Sequence, residues 1–267
     1  MAFGGAADRD EGLGAVDQSP DLPGDATGRG PSRDRHAERA LSGEPPRSGF
    51  GGGAVLSPAG PAAQPGLPRA VEAPLAALGV VVASPIVALC AAAVVASSGL
   101  PAFFRQQRIG LGGEPFTLVK LRTMRPSGGG PEVTARGDAR ITRVGRFLRA
   151  TKLDELPELW NVLRGEMSFV GPRPEVARYV DLQDPMWREV LQVRPGLTDP
   201  VTLSLRDEET LMASVEGDRD RYYREDLQPM KLRGYVEYLR RRTWRSDLGV
   251  IWRTMVAVLG LSRSGTP

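Results

Sequence analysis

The chain has 267 residues and a net charge of +3, and 25% of its residues are charged, which fits one main domain with appended segments. Its single cysteine, Cys90, lies in an apolar run, so the sequence excludes a disulfide framework and a cysteine-based zinc site. Its single histidine, His36, lies in a low-complexity stretch, which excludes a histidine-based catalytic triad in the folded part.

Residues 1–70 are rich in Gly, Pro, Ala, Asp and Arg and contain almost no clustered aliphatic side chains. A segment of this composition cannot bury enough apolar surface to offset the entropy of an ordered chain. We therefore predict a disordered tail over residues 1–70. The stretch also lacks the basic start and apolar core of a signal peptide.

A membrane segment is predicted over residues 71–104, because the part from 73 to 104 contains no charged residue. As a helix, this stretch is long enough to cross ~30 Å of hydrocarbon. Ser84 and Pro85 lie at its middle, where a proline removes a backbone hydrogen bond and bends a helix. Two alternatives stay open from the residues alone: a kinked span, and a re-entrant helix that returns to the side it entered. Arg69 and Glu72 precede the segment and Arg105 and Arg108 follow it, so the positive-inside signal favours a cytoplasmic C-terminal side without deciding the topology.

A β-hairpin is predicted next, with strands at 102–104 and 116–119 around the glycine-rich turn 110–113. Lys120 comes directly after the second strand. The glycine cluster lacks the P-loop and dinucleotide-binding patterns, so by itself it is weak evidence for phosphate binding.

An amphipathic helix is predicted over residues 141–153, with apolar residues at helical spacing on one side. Arginines recur every third residue along another side, at Arg140, Arg143, Arg146 and Arg149. This stripe suits lipid headgroups, a phosphate site or a plain solvated helix face, and the spacing does not choose among them.

The residues that carry chemistry are concentrated in 151–174, TKLDELPELWNVLRGEMSFVGPRP. Asp154 and Glu155 form an adjacent carboxylate pair with basic neighbours, among them Lys152. The segment ends in a rigid Gly-Pro-Arg-Pro turn with Arg173 in its middle. A paired acid, a basic surround and an arginine-bearing turn predict a site for phosphate and a divalent metal.

Two further helices are predicted near the C-terminus, at 232–243 and 246–261. The second carries apolar residues and Trp252 on one side, which suits either the membrane surface or packing on the domain.

A family resemblance is carried by three segments: FFRQQRIGLGGEPFTLVKLRTM, RITRVGRFLRATKLDELPELWNVLRGEMSFVGPRP and RPGLTDPVTL. They closely resemble the bacterial sugar transferases that start glycoconjugate assembly on a polyprenyl phosphate, the monotopic phosphoglycosyl transferases. The resemblance extends over about residues 75–261. It implies an α+β, mostly helical protein with a re-entrant helix–break–helix, a small β-hairpin and a cytoplasmic catalytic domain at 105–267 with amphipathic interfacial helices. The implied location is the cytoplasmic face of the inner membrane.

The resemblance also implies a reaction, in which a sugar-1-phosphate passes from a nucleotide sugar, usually a UDP-sugar, to undecaprenyl phosphate. This is the first membrane step of exopolysaccharide or glycoconjugate biosynthesis. In the family, the Asp of the Asp-Glu pair attacks the phosphate next to the sugar, UMP leaves, and the lipid phosphate resolves the phospho-aspartate. By motif, the nucleophile is Asp154 and Glu155 is its partner, and both are implied ligands of Mg²⁺, the family cofactor. Arg149, Lys120 and Arg173 match family positions that are tied to substrate phosphate.

The membrane segment takes its topology from the same resemblance, because family members carry a Ser-Pro break that returns the chain to the cytoplasmic side. Ser84 and Pro85 match that break. The chain departs from the family at Leu121, where Phe is usual, and at Pro74, which lies close to the start of the membrane helix.

Two alternatives compete with a membrane-bound transferase. A catalytically degenerate scaffold in a polysaccharide assembly complex is disfavoured by the intact Asp154 and Glu155. A nucleic-acid-binding module is disfavoured by the long uncharged stretch, so no nucleic acid partner is predicted. The sequence leaves a homodimer open and does not specify the sugar.

Overall fold

The computed structural model describes residues 66–125, 138–205 and 208–258. The predicted tail up to residue 65 lies outside the described residues, so it stays a prediction. The described part is mostly helical, with small sheets and one long apolar helix, which confirms the predicted α+β class at that level.

The α-helices are α1 (Arg69–Ser98), α2 (Arg143–Thr151), α3 (Glu158–Arg164), α4 (Pro185–Val190), α5 (Pro200–Ser204), α6 (Glu208–Ser214), α7 (Arg219–Tyr222), α8 (Gln228–Arg241) and α9 (Trp244–Val258). The strands are β1 (Phe103–Ile109), β2 (Pro115–Leu121), β3 (Ser168–Val170) and β4 (Gly196–Thr198). Single helical turns lie at Leu111–Gly113, Leu153–Glu155, Ala177–Tyr179 and Tyr223–Leu227.

Helix α1 has 30 residues, about 45 Å at the usual rise per residue, and begins at Arg69, two residues before the predicted start of the membrane segment. Among the described residues, it is the helix that is long and apolar enough to cross a membrane. One narrow stripe of α1 is buried against the domain and includes Ala76, Ala83, Cys90 and Val94. The rest of its surface exposes large aliphatic side chains: Val71, Leu75, Leu78, Val81, Val82, Ile86 and Leu89. An exposed apolar surface of this extent is typical of contact with lipid.

The predicted break at Ser84-Pro85 does not interrupt α1, which is helical from Arg69 to Ser98. Pro85 has no N–H to give to the carbonyl of Val81, four residues earlier. The hydroxyl of Ser84 donates to that same carbonyl at 2.8 Å, so the freed acceptor is satisfied within the helix. This replacement explains how the chain stays helical through the proline, and the re-entrant topology itself stays a prediction.

Both ends of α1 are attached to the same domain. At the N-terminal end, Arg69 donates to the last carbonyls of α3, at Val162 and Leu163, and thereby caps that helix. One turn later, the buried carboxylate of Glu72 accepts hydrogen bonds from the Ser168 hydroxyl and from the Phe169 N–H.

The C-terminal end of α1 is held by Arg122, whose buried guanidinium donates to the carbonyls of Ser98, Gly99 and Leu100. These carbonyls have no intrahelical partner at a helix end. A guanidinium that satisfies several of them fixes the end of α1 against the residue that follows β2.

The predicted hairpin is present and longer than expected. Strands β1 and β2 pair antiparallel in a register that runs from Phe103 opposite Leu121 to Ile109 opposite Pro115. Cross-strand pairing extends both strands past the short apolar runs that sequence alone marks, since every residue of β1 from Phe103 to Ile109 has a partner in β2. The hairpin places Lys120 near the end of β2.

Helix α2 is shorter than the predicted 141–153 because both of its ends are capped. The Thr142 side chain accepts from the Gly145 N–H at 2.8 Å, as N-cap residues do. At the other end, Lys152 adopts a left-handed conformation with φ 58° and stops the helix. The chain then makes the turn Leu153–Glu155 and enters α3.

The strands β3 and β4 form a parallel pair that the sequence does not predict. Their approach is close: a Cβ on Gly196 would lie 2.1 Å from the backbone nitrogen of Gly171. The backbones also exchange hydrogen bonds there, from the Gly196 N–H to the carbonyl of Pro172 and from the Gly171 N–H to that of Thr198. This pairing fixes the Gly-Pro-Arg-Pro turn against the Arg-Pro-Gly segment.

The last described helix, α9, buries one side and exposes the other. Asp247 and Val250 are buried, while the exposed side is apolar: Trp244, Leu248, Trp252, Met255 and Val258. Of the two alternatives for this helix, the exposed aromatic row favours the membrane surface over packing on the domain.

Candidate active site

The acid pair lies in the tight turn Leu153–Glu155 between α2 and α3. Lys152 ends α2, and Pro157 precedes the first residue of α3, so the chain reverses within a few residues. Leu153 packs against the cluster formed by Cys90 and Val94 of α1 with Leu121 and Leu148. The turn therefore holds the two carboxylates directly beside the apolar helix.

Glu155 is held by two cations that come from distant parts of the chain. Its Oε1 accepts from the Arg173 guanidinium at 2.8 Å and from the Lys120 ammonium at 3.2 Å. Burial by itself acts to raise the pKa of Glu155, but the charges of Lys120, Arg173 and Lys152 outweigh it and hold that pKa well below its usual range. Glu155 is therefore ionised at neutral pH and organises the basic groups around it.

Asp154 has a different environment, although it is the next residue. It is 7% exposed, and its Oδ1 has no hydrogen-bond partner among the described residues. Burial raises the pKa of Asp154, and the neighbouring Glu155 charge adds to the shift, while Lys120, Lys152 and Arg149 oppose it. A buried carboxylate oxygen without a partner is costly to keep, which is typical of a reactive or ligand-binding group.

Glu158 is a third carboxylate that sequence reasoning missed. It is 2% exposed, and its Oε1 lies 2.9 Å from the Lys120 ammonium, so Lys120 forms ion pairs with both Glu155 and Glu158. Burial raises the pKa of Glu158, Lys120 lowers it and Glu155 raises it further. The spacing of Glu155 and Glu158, three residues apart, is the signal that could have found it, because such residues share a helix face.

The arginine-bearing turn is fixed from behind by buried polar contacts. Arg108 donates to the carbonyl of Pro174 at 3.0 Å and lies 3.7 Å from the carboxylate of Glu175. Glu175 in turn accepts from the Tyr223 hydroxyl. These bonds hold the two residues that follow Arg173 in place, and the guanidinium of Arg173 itself donates to Glu155.

The structure brings together Lys120, Glu155 and Arg173, with Asp154 adjacent in the chain. Arg149 lies in the last turn of α2, close enough for its charge to lower the pKa of Asp154. Ser84 and Pro85 lie on the exposed surface of α1. The roles that the resemblance assigns to these residues stay predictions.

A Mg²⁺ ion fits the donor set at the acid pair, although the described residues contain no group of three or more His, Cys, Asp and Glu side chains that could hold a metal by themselves. Protein-bound Mg²⁺ is usually held by one or two carboxylates together with substrate phosphates and water, so two carboxylates suffice. Oδ1 of Asp154 accepts no hydrogen bond within the described residues, so it can serve as a ligand.

Comparison with known proteins agrees with this geometry. The family model described as bacterial sugar transferase matches residues 64–261, which is most of the chain and includes α1, the hairpin and the acid pair. The chain belongs to the bacterial sugar transferase family. The family predicted from the three sequence segments is thereby confirmed.

Individual relatives in the family give the same result. The chain is 39% identical over 196 residues to a UDP-glucose:undecaprenyl-phosphate glucose-1-phosphate transferase of Caulobacter vibrioides, covering 72% of this chain and 69% of the relative. A transferase of the same name from Xanthomonas campestris pv. campestris is 38% identical over 66% of this chain and 35% of its own length. A UDP-N-acetylgalactosamine-undecaprenyl-phosphate N-acetylgalactosaminephosphotransferase of Aeromonas hydrophila is 36% identical over 49% of this chain and 32% of its own length. The last two are therefore much longer proteins than the part that this chain matches.

Proposed function

We propose that this protein transfers a sugar-1-phosphate from a UDP-sugar to undecaprenyl phosphate and thereby starts the assembly of an exopolysaccharide or related glycoconjugate. The observation that carries the proposal is the buried, unpartnered oxygen of Asp154 beside a carboxylate that accepts from two cationic side chains. The names of the similar transferases agree with both substrates. Relatives in the family use different sugars, so the sugar is left to experiment.

The first step is an attack by Asp154 on the phosphorus next to the sugar. A carboxylate oxygen forms a bond to phosphorus, the bond to the UMP oxygen breaks, and UMP leaves with its electron pair. The carboxylate loses one negative charge when it attacks, and the departing UMP phosphate gains one. No proton is therefore transferred. This balance suits a site whose described residues contain no histidine, because no general acid or base is required.

The second step returns the enzyme to its starting state. An oxygen of the lipid phosphate attacks the same phosphorus, and the bond between phosphorus and Asp154 breaks. The product is a lipid-linked diphosphate sugar, and Asp154 is again a carboxylate. Splitting the exchange in two means that the two phosphate-bearing substrates need not be held against each other at the same time.

The basic residues make the attack of one anion on another feasible. Arg173 and Lys120 both donate to Glu155, and they supply the positive field in which a diphosphate would bind. Asp154 and Glu155 are the residues that would hold Mg²⁺. When bound, Mg²⁺ neutralises phosphate charge and stabilises the leaving oxygen.

The attachment of both ends of α1 to one domain supports a monotopic arrangement at the cytoplasmic face of the inner membrane. A perpendicular span would carry one end of the helix to the far side of ~30 Å of hydrocarbon. Here Arg69 and Glu72 at one end, and Ser98 at the other, all contact the same catalytic domain. The exposed apolar surfaces of α1 and α9 would then enter the membrane from one side.

The test uses purified protein in nanodiscs with Mg²⁺, undecaprenyl phosphate and a panel of UDP-sugars, and measures UMP release. We expect release with one donor and a loss of at least about a thousandfold in Asp154→Asn. Asp181→Asn is the matched control, because its side-chain oxygen accepts from the Gln183 N–H and Asn retains that acceptor. Mass spectrometry without acceptor should find the sugar-phosphate on Asp154. Full activity of Asp154→Asn would overturn the covalent step.

A further inference from the structure

The cationic side chains around the acid pair differ in whether they form an ion pair. Lys120 is shared between Glu155 and Glu158, and Arg173 is bonded to Glu155. Lys152 is exposed, and within the described residues its ammonium makes no ion pair and no side-chain hydrogen bond. Its charge nevertheless acts on both Asp154 and Glu155, so it lies within electrostatic range of the reacting group.

The backbone at Lys152 adds a second observation. Lys152 has φ 58°, and among the described residues it is the only non-glycine residue with a positive φ. Glycine or asparagine usually ends a helix in this conformation, because other side chains are strained there. A lysine at a position where glycine is favoured indicates that the side chain itself is used.

The location of Lys152 points to the kind of ligand. The next residue, Leu153, packs against Cys90 and Val94 of the apolar helix α1, and the residue after that is Asp154. Lys152 therefore lies beside α1 and directly before the acid pair, with its own side chain exposed. A molecule with a long apolar chain and a phosphate at its end would lay the chain along α1 and present the phosphate at this junction.

We propose that Lys152 binds the phosphate of the lipid acceptor and directs it at the phosphorus held on Asp154. This inference rests on the proposed function and assigns a residue to its second step. In that step the lipid phosphate arrives as a dianion beside an enzyme-bound phosphodiester and the carboxylate of Glu155. An uncommitted ammonium offsets this repulsion without releasing the ion pairs of Lys120 and Arg173.

The alternative ligand for Lys152 is the donor nucleotide, and the two half-reactions separate these cases. UMP formation without acceptor reports the first step alone. The rate with varied undecaprenyl phosphate at saturating donor reports the second. A lysine that serves the donor would affect the first measurement, whereas one that serves the acceptor would affect the second.

The experiment compares Lys152→Asn, Lys152→Gly and Lys152→Arg with wild type in nanodiscs. Asn and Gly both tolerate the left-handed conformation, so they remove the charge without straining the turn. We expect the KM for undecaprenyl phosphate to rise between about tenfold and a hundredfold in both, as for loss of a hydrogen bond to a charged group. The single-turnover yield of UMP should stay at the wild-type value, and its rate should change much less than the acceptor KM, because Lys152 acts on Asp154 through its charge alone. Lys152→Arg should restore most of the acceptor affinity.

The control is Arg143→Gln, which removes one exposed charge from the start of the same helix, about 13 Å of helix away. Binding of undecaprenyl phosphate without donor is measured in parallel, so the result does not depend on finding the correct UDP-sugar.

An unchanged acceptor affinity in Lys152→Asn, or an equal effect in Arg143→Gln, would overturn the role of Lys152. A UMP burst slowed by about tenfold or more in Lys152→Asn would assign Lys152 to the donor instead. Failure of wild type to release UMP would count against the proposed function, while the binding measurement would still judge Lys152.

Discussion

Arg173 donates a hydrogen bond to Oε1 of Glu155 at 2.8 Å and joins the Gly-Pro-Arg-Pro turn to the acid pair. The same oxygen receives Lys120 from the hairpin, so three separate segments meet at one carboxylate. Glu155 is thus the residue on which the geometry of the site depends, while Asp154 beside it keeps an oxygen available.

Glu155→Gln should therefore destabilise the protein at neutral pH, by about 2 kcal/mol, because Lys120 and Arg173 lose their shared counterion. The folded-state pKa of Glu155 lies below its unfolded value, so its stabilisation is complete above the unfolded pKa and is lost as pH falls through the lower folded pKa. Thermal unfolding is measured from pH 7 down to pH 3. The difference in Tm between wild type and variant should shrink in the acid range. Glu114→Gln, at an exposed position, serves as the control. A gap of the same size at every pH would contradict this account.

Asp154→Asn should have the opposite effect on stability while it abolishes turnover. The folded-state pKa of Asp154 is raised, so the ionised form is disfavoured in the folded protein and stability falls as pH rises through that pKa. Removing the charge should raise the Tm at pH 8 by roughly 3 °C, as expected for about 1 kcal/mol in a chain of this size. The difference should vanish at low pH, where Asp154 is protonated. A lower Tm at pH 8 would show that the carboxylate is stabilised by contacts that its burial does not reveal.

Gly196→Ala should damage the site from a distance. The added methyl would collide with the backbone of Gly171, so β3 and β4 must separate and the turn that carries Arg173 must move. We expect a loss of more than about 2 kcal/mol in stability and a fall in activity beyond what reduced folding explains. Gly249→Ala in α9 is the matched control, since a Cβ there meets nothing within 4 Å and alanine favours the helix. Equal stability and equal activity of the two variants would show that the close approach of Gly196 to Gly171 does not matter for function.

The two ends of α1 should be accessible from the same side of the membrane. In a Cys90→Ala background, single cysteines at Ala70 and Leu100, both exposed, should react with an impermeant thiol reagent in inverted vesicles and stay protected in right-side-out vesicles. A cysteine at Leu89, which is 73% exposed in the middle of α1, should be protected in both, because lipid covers it. Labelling of the two ends from opposite sides would establish a spanning helix.

The sequence predicts the local features of this fold well. The apolar segment, the hairpin, the amphipathic helix before Asp154 and the acid pair itself are each encoded within a few adjacent residues, so periodicity and motif spacing reveal them. The end of α2 is predicted less well, because it depends on the left-handed conformation of Lys152. Lysine rarely adopts that conformation, so the sequence does not indicate it.

The features that sequence reasoning misses depend on contacts between distant segments. Glu72 and Arg122 look like ordinary flanking charges, yet both are buried and attach the ends of α1 to the domain. The parallel pairing of β3 with β4 needs two short segments to meet, and no periodicity over three residues marks it. Glu158 lies in a stretch whose sequence resembles an exposed helix face. It is buried in the fold, where Lys120 of strand β2 forms an ion pair with it.

The attachment of both ends of α1 has a kinetic consequence. In the proposed monotopic arrangement, the contacts of Arg69, Arg122 and Leu153 would fix the height of Asp154 relative to the lipid headgroups. The acceptor then reaches the enzyme by diffusing within the plane of the membrane. Its availability is therefore measured by the number of acceptor molecules per unit of membrane area, and diluting the vesicles in buffer should leave the turnover of membrane-bound enzyme unchanged, whereas diluting the acceptor with other lipids should lower it.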